Sequence, residues 1–144
     1  MRPYVYLETS AVLRHVLEGD ERVLGGASGG RLVTSALTSV ELERGLLRAY
    51  LAKRITAAER RAKKTWLRDL LEACEVINLD SSVLERAGQP FPVEPIRTLD
   101  ALHLASAVLF EQAVGAALSI LSVDDRVRAS AEELGFRVLP ESAA

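Results

Sequence analysis

The sequence predicts an α/β protein built on a parallel sheet. Short apolar, β-prone runs recur five times along the chain, and stretches with apolar residues at helical spacing separate them. Capping and turn residues fall at the junctions. Strands alternating with helices imply parallel pairing, with helices covering both faces of the sheet. The 144 residues are expected to form one domain spanning 1–144. A domain of that size buries roughly 70% of its unfolded surface and needs no disulfide or structural metal.

Each element has its own signal. Pro3 to Leu7 reads as strand one, and Ser10 is placed to cap a helix through Glu18, ended by Gly19. Gly25 to Gly30 is a glycine-rich loop without the Gly-Lys-Ser/Thr ending of a phosphate loop, so it is given no catalytic role. Arg31 to Thr34 is strand two, followed by a helix from about Ser39 to Lys53. Thr56-Ala-Ala-Glu59 is a capping box opening a helix through Ala73. Glu75 to Leu79 is strand three, with a short helix through Ala87. Pro90, Pro92 and Pro95 make Gly88 to Arg97 a loop. Thr98 caps a helix through Gln112, and Ala117 to Leu121 is strand four. Asp124 or Asp125 starts a helix that Gly135 terminates, before strand five at Phe136 to Leu139.

Composition excludes several classes. Hydrophobic residues at 49% and charged residues at 26% rule out disorder. Cys74 is the lone cysteine and His15 and His103 the only histidines, so disulfide frameworks and Cys- or His-based zinc sites are excluded. Met1 to Leu17 is interrupted by Glu8 and reads as no signal peptide. Ala101 to Val123 carries one formal charge and is long enough to span a bilayer, but its pattern changes near Gly115 from helical to extended. It reads as a buried helix, a turn and a buried strand, in a soluble, cytoplasmic protein with no membrane partner. The net charge of −2 does not announce a nucleic-acid binder. Half of the Lys and Arg residues nevertheless lie between Arg44 and Arg68, where Glu59 is the only acid. That segment reads either as solvated helix faces or as a phosphate-attracting rim.

Four acidic groups recur at one kind of place. Glu8 ends strand one, Glu41 follows strand two, Asp100 follows the proline loop, and Asp124 with Asp125 follows strand four. In a parallel sheet, strand ends and the starts of following helices share the carboxyl edge, where ligands bind. Each acid also has a local explanation. Glu41 completes a Thr38-Ser-Val-Glu41 capping box, Asp100 suits a helix dipole, Asp124 or Asp125 is an N-cap, and Glu8 could be a surface carboxylate. Together they are costly: one carboxylate pair at ~5 Å and an effective dielectric of ~20 repels by about 3 kcal/mol. Such a cluster calls for bound cations or protonation, and oxygen ligands suit Mg²⁺ or Mn²⁺.

Four segments resemble the motifs of PIN-domain ribonucleases: Tyr6-Leu-Glu-Thr-Ser-Ala-Val-Leu13, Val33-Thr-Ser-Ala-Leu-Thr-Ser-Val-Glu41, Arg97-Thr-Leu-Asp-Ala-Leu-His-Leu-Ala105 and Ser122-Val-Asp-Asp-Arg126. They occur in order over essentially the whole chain, and the compact length is most similar to VapC-type toxins of toxin–antitoxin pairs. The resemblance implies a five-stranded parallel sheet in the order 3-2-1-4-5. It makes Glu8, Glu41, Asp100 and Asp124 the catalytic acids that hold Mg²⁺ or Mn²⁺, with Asp125 at a variable neighbouring position. It makes Thr9, Ser10 and Ser122 polar neighbours of the site. It also implies an RNA substrate, a homodimer and a cognate antitoxin whose tail covers the cleft. Glu8 stands where the family usually has Asp. His103, one turn after Asp100, could touch the site, and reads as a packed helix residue in preference to a general base. The expected activity is metal-dependent endoribonuclease; the alternatives are a catalytically silent PIN fold and a PIN nuclease of RNA processing or DNA metabolism.

Overall fold

The computed structural model describes residues 2–141. Five parallel strands form one sheet: β1 (Tyr4–Leu7), β2 (Arg31–Ser35), β3 (Glu75–Ile77), β4 (Leu118–Leu121) and β5 (Arg137–Leu139), in the order β3-β2-β1-β4-β5. Six α-helices surround it: α1 (Thr9–Glu18), α2 (Ala36–Leu51), α3 (Ala57–Glu72), α4 (Ser81–Ala87), α5 (Thr98–Val114) and α6 (Asp125–Glu133). The glycine-rich loop holds only a 3-10 turn at Gly25–Ala27. None of the described helices is long and apolar enough to cross a membrane. The apolar stretch after Ala101 divides as expected into α5, a left-handed turn at Gly115 (φ 64°) and β4.

Strand alternation sorts the core into two layers. Tyr4 and Tyr6 of β1 and Leu118 and Ile120 of β4 pack with Leu104 and Ala105 of α5 and Val127 of α6. Val5, Leu7 and Leu121 point the other way, against Val12 and Val16 of α1 and Leu42 and Leu46 of α2. Because β1 is buried on both faces, it reads as the nearly unbroken apolar run Tyr4-Val-Tyr-Leu7. A Cβ at Gly45 would come 2.8 Å from Leu13 Cδ2. Glycine therefore lets α2 lie close on α1 and fixes which face of α2 turns outward.

Helix starts depart from the sequence reading in three places. Ser10 does not cap α1; Glu8 does, accepting from Ser10 N at 2.8 Å. Thr98 does not cap α5, whose N-cap Arg97 makes no side-chain cap bond. The helix expected from about Ser39 begins at Ala36, capped by Ser35. The Thr38–Glu41 capping box therefore does not form. Thr38 sits inside the helix and its Oγ1 accepts from Thr34 Oγ1 at 2.8 Å, leaving Glu41 free for another use. The Thr56–Glu59 box does form at α3.

Candidate functional site

The β1–β4 register sets Leu7 beside Leu121, so the next residues, Glu8 and Ser122, meet at the carboxyl edge. Ser122 Oγ and Ser10 Oγ each donate to Glu8 Oε1 at 2.5 Å, and Ser10 N donates to Oε2. The serines are held in turn by backbone: Val123 N donates to Ser10 Oγ, and Asp124 N to Ser122 Oγ, both at 3.1 Å. Glu8 is buried, and these three donors offset the loss of water around its charge. The surface-carboxylate reading of Glu8 is thus corrected.

Glu41 projects from α2 toward α5. Its Oε1 lies 2.5 Å from His103 Nε2 and accepts from Thr9 Oγ1 at 2.7 Å. His103 Nδ1 lies 2.7 Å from the Tyr6 hydroxyl. A neutral ring protonated on Nε2 satisfies both contacts, donating to Glu41 and accepting from Tyr6. Burial and then the Glu8 charge raise the Tyr6 hydroxyl well above its ordinary value, which keeps its proton available. Burial pushes the Glu41 carboxyl up, but the His103 ring, the Thr9 hydroxyl and the Arg97 charge outweigh it, and the net displacement is downward.

Asp100 and Asp124 share one guanidinium. Arg97 Nε donates to Asp100 Oδ2 at 3.0 Å, and Nη2 donates to Asp124 Oδ2 at 2.7 Å. The bond to Asp100 and then the charges of both acids raise the Arg97 pKa. Asp124 is also the N-cap of α6, its Oδ1 accepting from Arg126 N and Val127 N. Asp125 is exposed and lines no part of the cavity that holds the other acids.

That cavity, of about 540 Å³, is lined by Glu8, Glu41, Asp100 and Asp124 together. Thr9 and Ser10 line it too, as do Arg44, Arg48 and Arg97. Ser122 sits behind Glu8 and lines no part of it. The acids share a cavity without converging. Among the described residues, no three His, Cys, Asp or Glu side chains stand close enough together to hold a metal ion. Each acid is engaged by the protein instead, Glu8 by serines, Glu41 by His103 and Thr9, and the two aspartates by Arg97. Arg97 brings a positive charge from within the chain to two of the four acids, Asp100 and Asp124.

The PIN domain family matches residues 5–133, a span that reaches from β1 into α6 and contains all four acids. The chain belongs to the PIN-domain family.

Two curated relatives of this PIN domain come from Mycobacterium tuberculosis. Ribonuclease VapC46 of strain ATCC 25618 / H37Rv is 36% identical over 142 residues, covering 96% of this chain and 98% of that protein. Ribonuclease VapC35 of strain CDC 1551 / Oshkosh is 29% identical over 145 residues, covering 97% and 98%. Among solved structures, VapBC2 from Rickettsia felis bound to a DNA fragment from their promoter superposes with a TM-score of 0.61 at 14% identity, over 94% of this chain and 96% of that one. PAE2754 from Pyrobaculum aerophilum gives a TM-score of 0.58 at 17% identity, over 96% and 84%. At those identities the structures show the shared fold.

Two side chains of this PIN domain carry more of the site than the sequence reading gave them. His103 is indeed packed, with 2% of its surface exposed, yet both ring nitrogens are spent on the site. Its spacing of three from Asp100 puts the two on adjoining parts of one helix face, which is the signal that could have assigned it. The sequence reading places Arg97 at the end of the proline loop and the head of the Arg97–Ala105 motif, with no role at the site. Its spacing of three from Asp100 allowed the pair, but the bond to Asp124 spans 27 residues and depends on the packing of α5 beside α6.

Proposed function

We propose that this chain is a divalent-metal-dependent endoribonuclease that hydrolyses RNA phosphodiester bonds, and that it is the toxin of a toxin–antitoxin pair. One observation carries the reading. Four acids from four separate segments line one cavity at the carboxyl edge of the sheet. Relatives named ribonuclease, aligned over nearly their whole length, support it. The donor set of Glu8, Glu41, Asp100 and Asp124 is all oxygen, which fits Mg²⁺ or Mn²⁺ and not zinc. A bound ion would polarise the scissile phosphate and activate water.

The chain's own residues prepare that chemistry. Ser10 and Ser122 hold the Glu8 carboxylate in place, Thr9 and His103 hold Glu41, and Arg97 keeps Asp100 and Asp124 aligned at neighbouring helix starts. The fold offers no Ser-His-Asp triad among the described residues, since His103 faces Tyr6 and Glu41, and His15 Nδ1 faces the Asp20 carbonyl oxygen. We also propose a homodimer, a cytoplasmic location and an antitoxin that covers the cleft; of these, only the antitoxin partner draws support from a relative, the VapBC2 complex.

Incubation of the purified chain with single-stranded RNA tests the enzyme reading. Cleavage is expected with Mg²⁺ or Mn²⁺ and none in excess chelator, and Asp100→Asn is expected to be inert while retaining its circular dichroism spectrum. Undiminished cleavage in chelator overturns metal dependence. An inert wild type that still binds Mg²⁺ makes the chain a silent PIN fold. Growth arrest on expression of wild type but not Asp100→Asn tests the toxin role.

A further inference from the structure

The basic residues of segment 44–68 divide in the folded chain. On α3, Lys63 Nζ donates to Val16 O at 2.9 Å, Lys64 pairs with Glu43 at 3.4 Å, and Arg68 pairs with Asp69 at 3.8 Å. Arg60 lies over the Tyr50 ring, 5.4 Å from its centroid. None of these four lines the cavity that holds the acids. Arg44 and Arg48 differ on both counts. They line that cavity, and neither guanidinium has a hydrogen-bond or ion-pair partner among the described residues.

Their placement follows from helix geometry. Glu41, Arg44 and Arg48 are spaced three and seven apart, so they share one face of α2, with the arginines ~4.5 Å and ~10.5 Å further along the axis. Close packing at Gly45 fixes that face toward the cavity. Two like charges one turn apart repel each other, and an anion bound between them relieves both. The rest of the lining narrows what that anion is. Val40 and Leu99, 58% and 46% exposed, offer bases an apolar edge, and no aromatic side chain lines the cavity among the described residues. A single strand held here lacks a stacking platform, so its phosphates must supply most of its affinity.

We infer that Arg44 and Arg48 are the substrate-positioning residues of this site, binding backbone phosphates of single-stranded RNA beside the bond held at the acids. The strand then runs along α2 away from Glu41, and the basic residues of α3 take no part. This rests on the ribonuclease reading for its substrate, and the test separates the two.

The test measures fluorescence anisotropy of a labelled single-stranded oligoribonucleotide against the full chain. An Asp100→Asn background with Mg²⁺ present blocks cleavage while salt is varied. Arg44→Gln/Arg48→Gln is expected to flatten the plot of log K against log salt by about 1.4, two contacts at ~0.7 each. The charge-matched Arg61→Gln/Lys64→Gln pair is expected to keep the slope of its parent, and Arg44→Lys/Arg48→Lys to restore most of it. With Asp100 intact, Arg44→Gln/Arg48→Gln is expected to raise KM at least tenfold and leave kcat within about threefold, as loss of uniform binding does. An unchanged slope in Arg44→Gln/Arg48→Gln, or an equal loss in the α3 pair, overturns the inference. So does an unchanged RNA slope with weakened binding of an oligo-glutamate peptide, which assigns the arginines to a protein partner. Steep, arginine-dependent RNA binding by a chain that never cleaves leaves this inference standing and overturns the ribonuclease reading instead.

Discussion

His103 Nε2 and Glu41 Oε1 stand 2.5 Å apart, joining α5 to α2 across the carboxyl edge of the sheet. The ring's other nitrogen reaches Tyr6 in the central strand, so one buried imidazole ties three elements together. His103→Ala leaves the Tyr6 hydroxyl without its ring partner, takes one partner from Glu41, and opens a cavity. A loss of roughly 2–4 kcal/mol is expected, within the range for buried network deletions. Urea unfolding of the two proteins checks it, and a loss below ~1 kcal/mol sinks the claim.

The same contact sets an acid response. The Glu41 carboxyl is held below its ordinary value once folded. Its contribution to stability is therefore full above about pH 4.5, the usual glutamate range, and is lost as pH falls through the lower folded value. Glu41→Gln removes that group's titration. Stability measured between pH 6 and pH 3 should fall less steeply for Glu41→Gln than for wild type. Parallel curves would contradict this assignment.

Arg97 lies across Asp100 and Asp124 with 61% of its side chain exposed, so each contact is modest, about 0.5–1 kcal/mol. At the proposed metal site, an ion entering at these acids would compete with the guanidinium. Arg97→Met is expected to lower the metal-free melting temperature slightly and to tighten Mg²⁺ binding up to about tenfold, since 1.4 kcal/mol is a factor of ten. Calorimetric titration reads this without any turnover. Weaker Mg²⁺ binding by Arg97→Met would show that the arginine assists the metal.

Glu8 is one methylene longer than an aspartate, and its carboxylate collects three donors from Ser10 and Ser122. Glu8→Gln should abolish cleavage. Glu8→Asp should keep metal binding and remain within roughly a hundredfold of wild type, the effect of a ~1 Å misplacement. Rates on one RNA substrate compare the three. Gain of activity by Glu8→Asp over an inert wild type would mark a disarmed site.

The sequence made the strands, their alternation with helices and the clustering of acids legible because these depend on local periodicity and on the shared edge of a parallel sheet. Helix starts were less legible. Ser10, Thr38 and Thr98 all have capping chemistry, yet Glu8, Ser35 and Arg97 hold the cap positions. Each helix begins where its preceding strand or loop delivers the chain, and a side chain that satisfies local rules loses to that constraint. The acids' partners were the least legible. Ser122 is 114 residues from Glu8, and His103 is 62 from Glu41. Pairings at that distance are decided by strand register and helix packing, which no short window of sequence contains.

The central place of β1 governs when the site comes into being. The strand that carries the first acid at its end has β2 on one side and β4 on the other, and β4 spans residues 118–121. As the polypeptide leaves the ribosome, Glu8 emerges early and waits for more than a hundred residues of synthesis before Ser122 and Asp124 can join it. Every shorter nascent chain lacks the fourth acid and the serine that steadies the first. The cleft is thus a late product of translation, complete only once the last strands are in place.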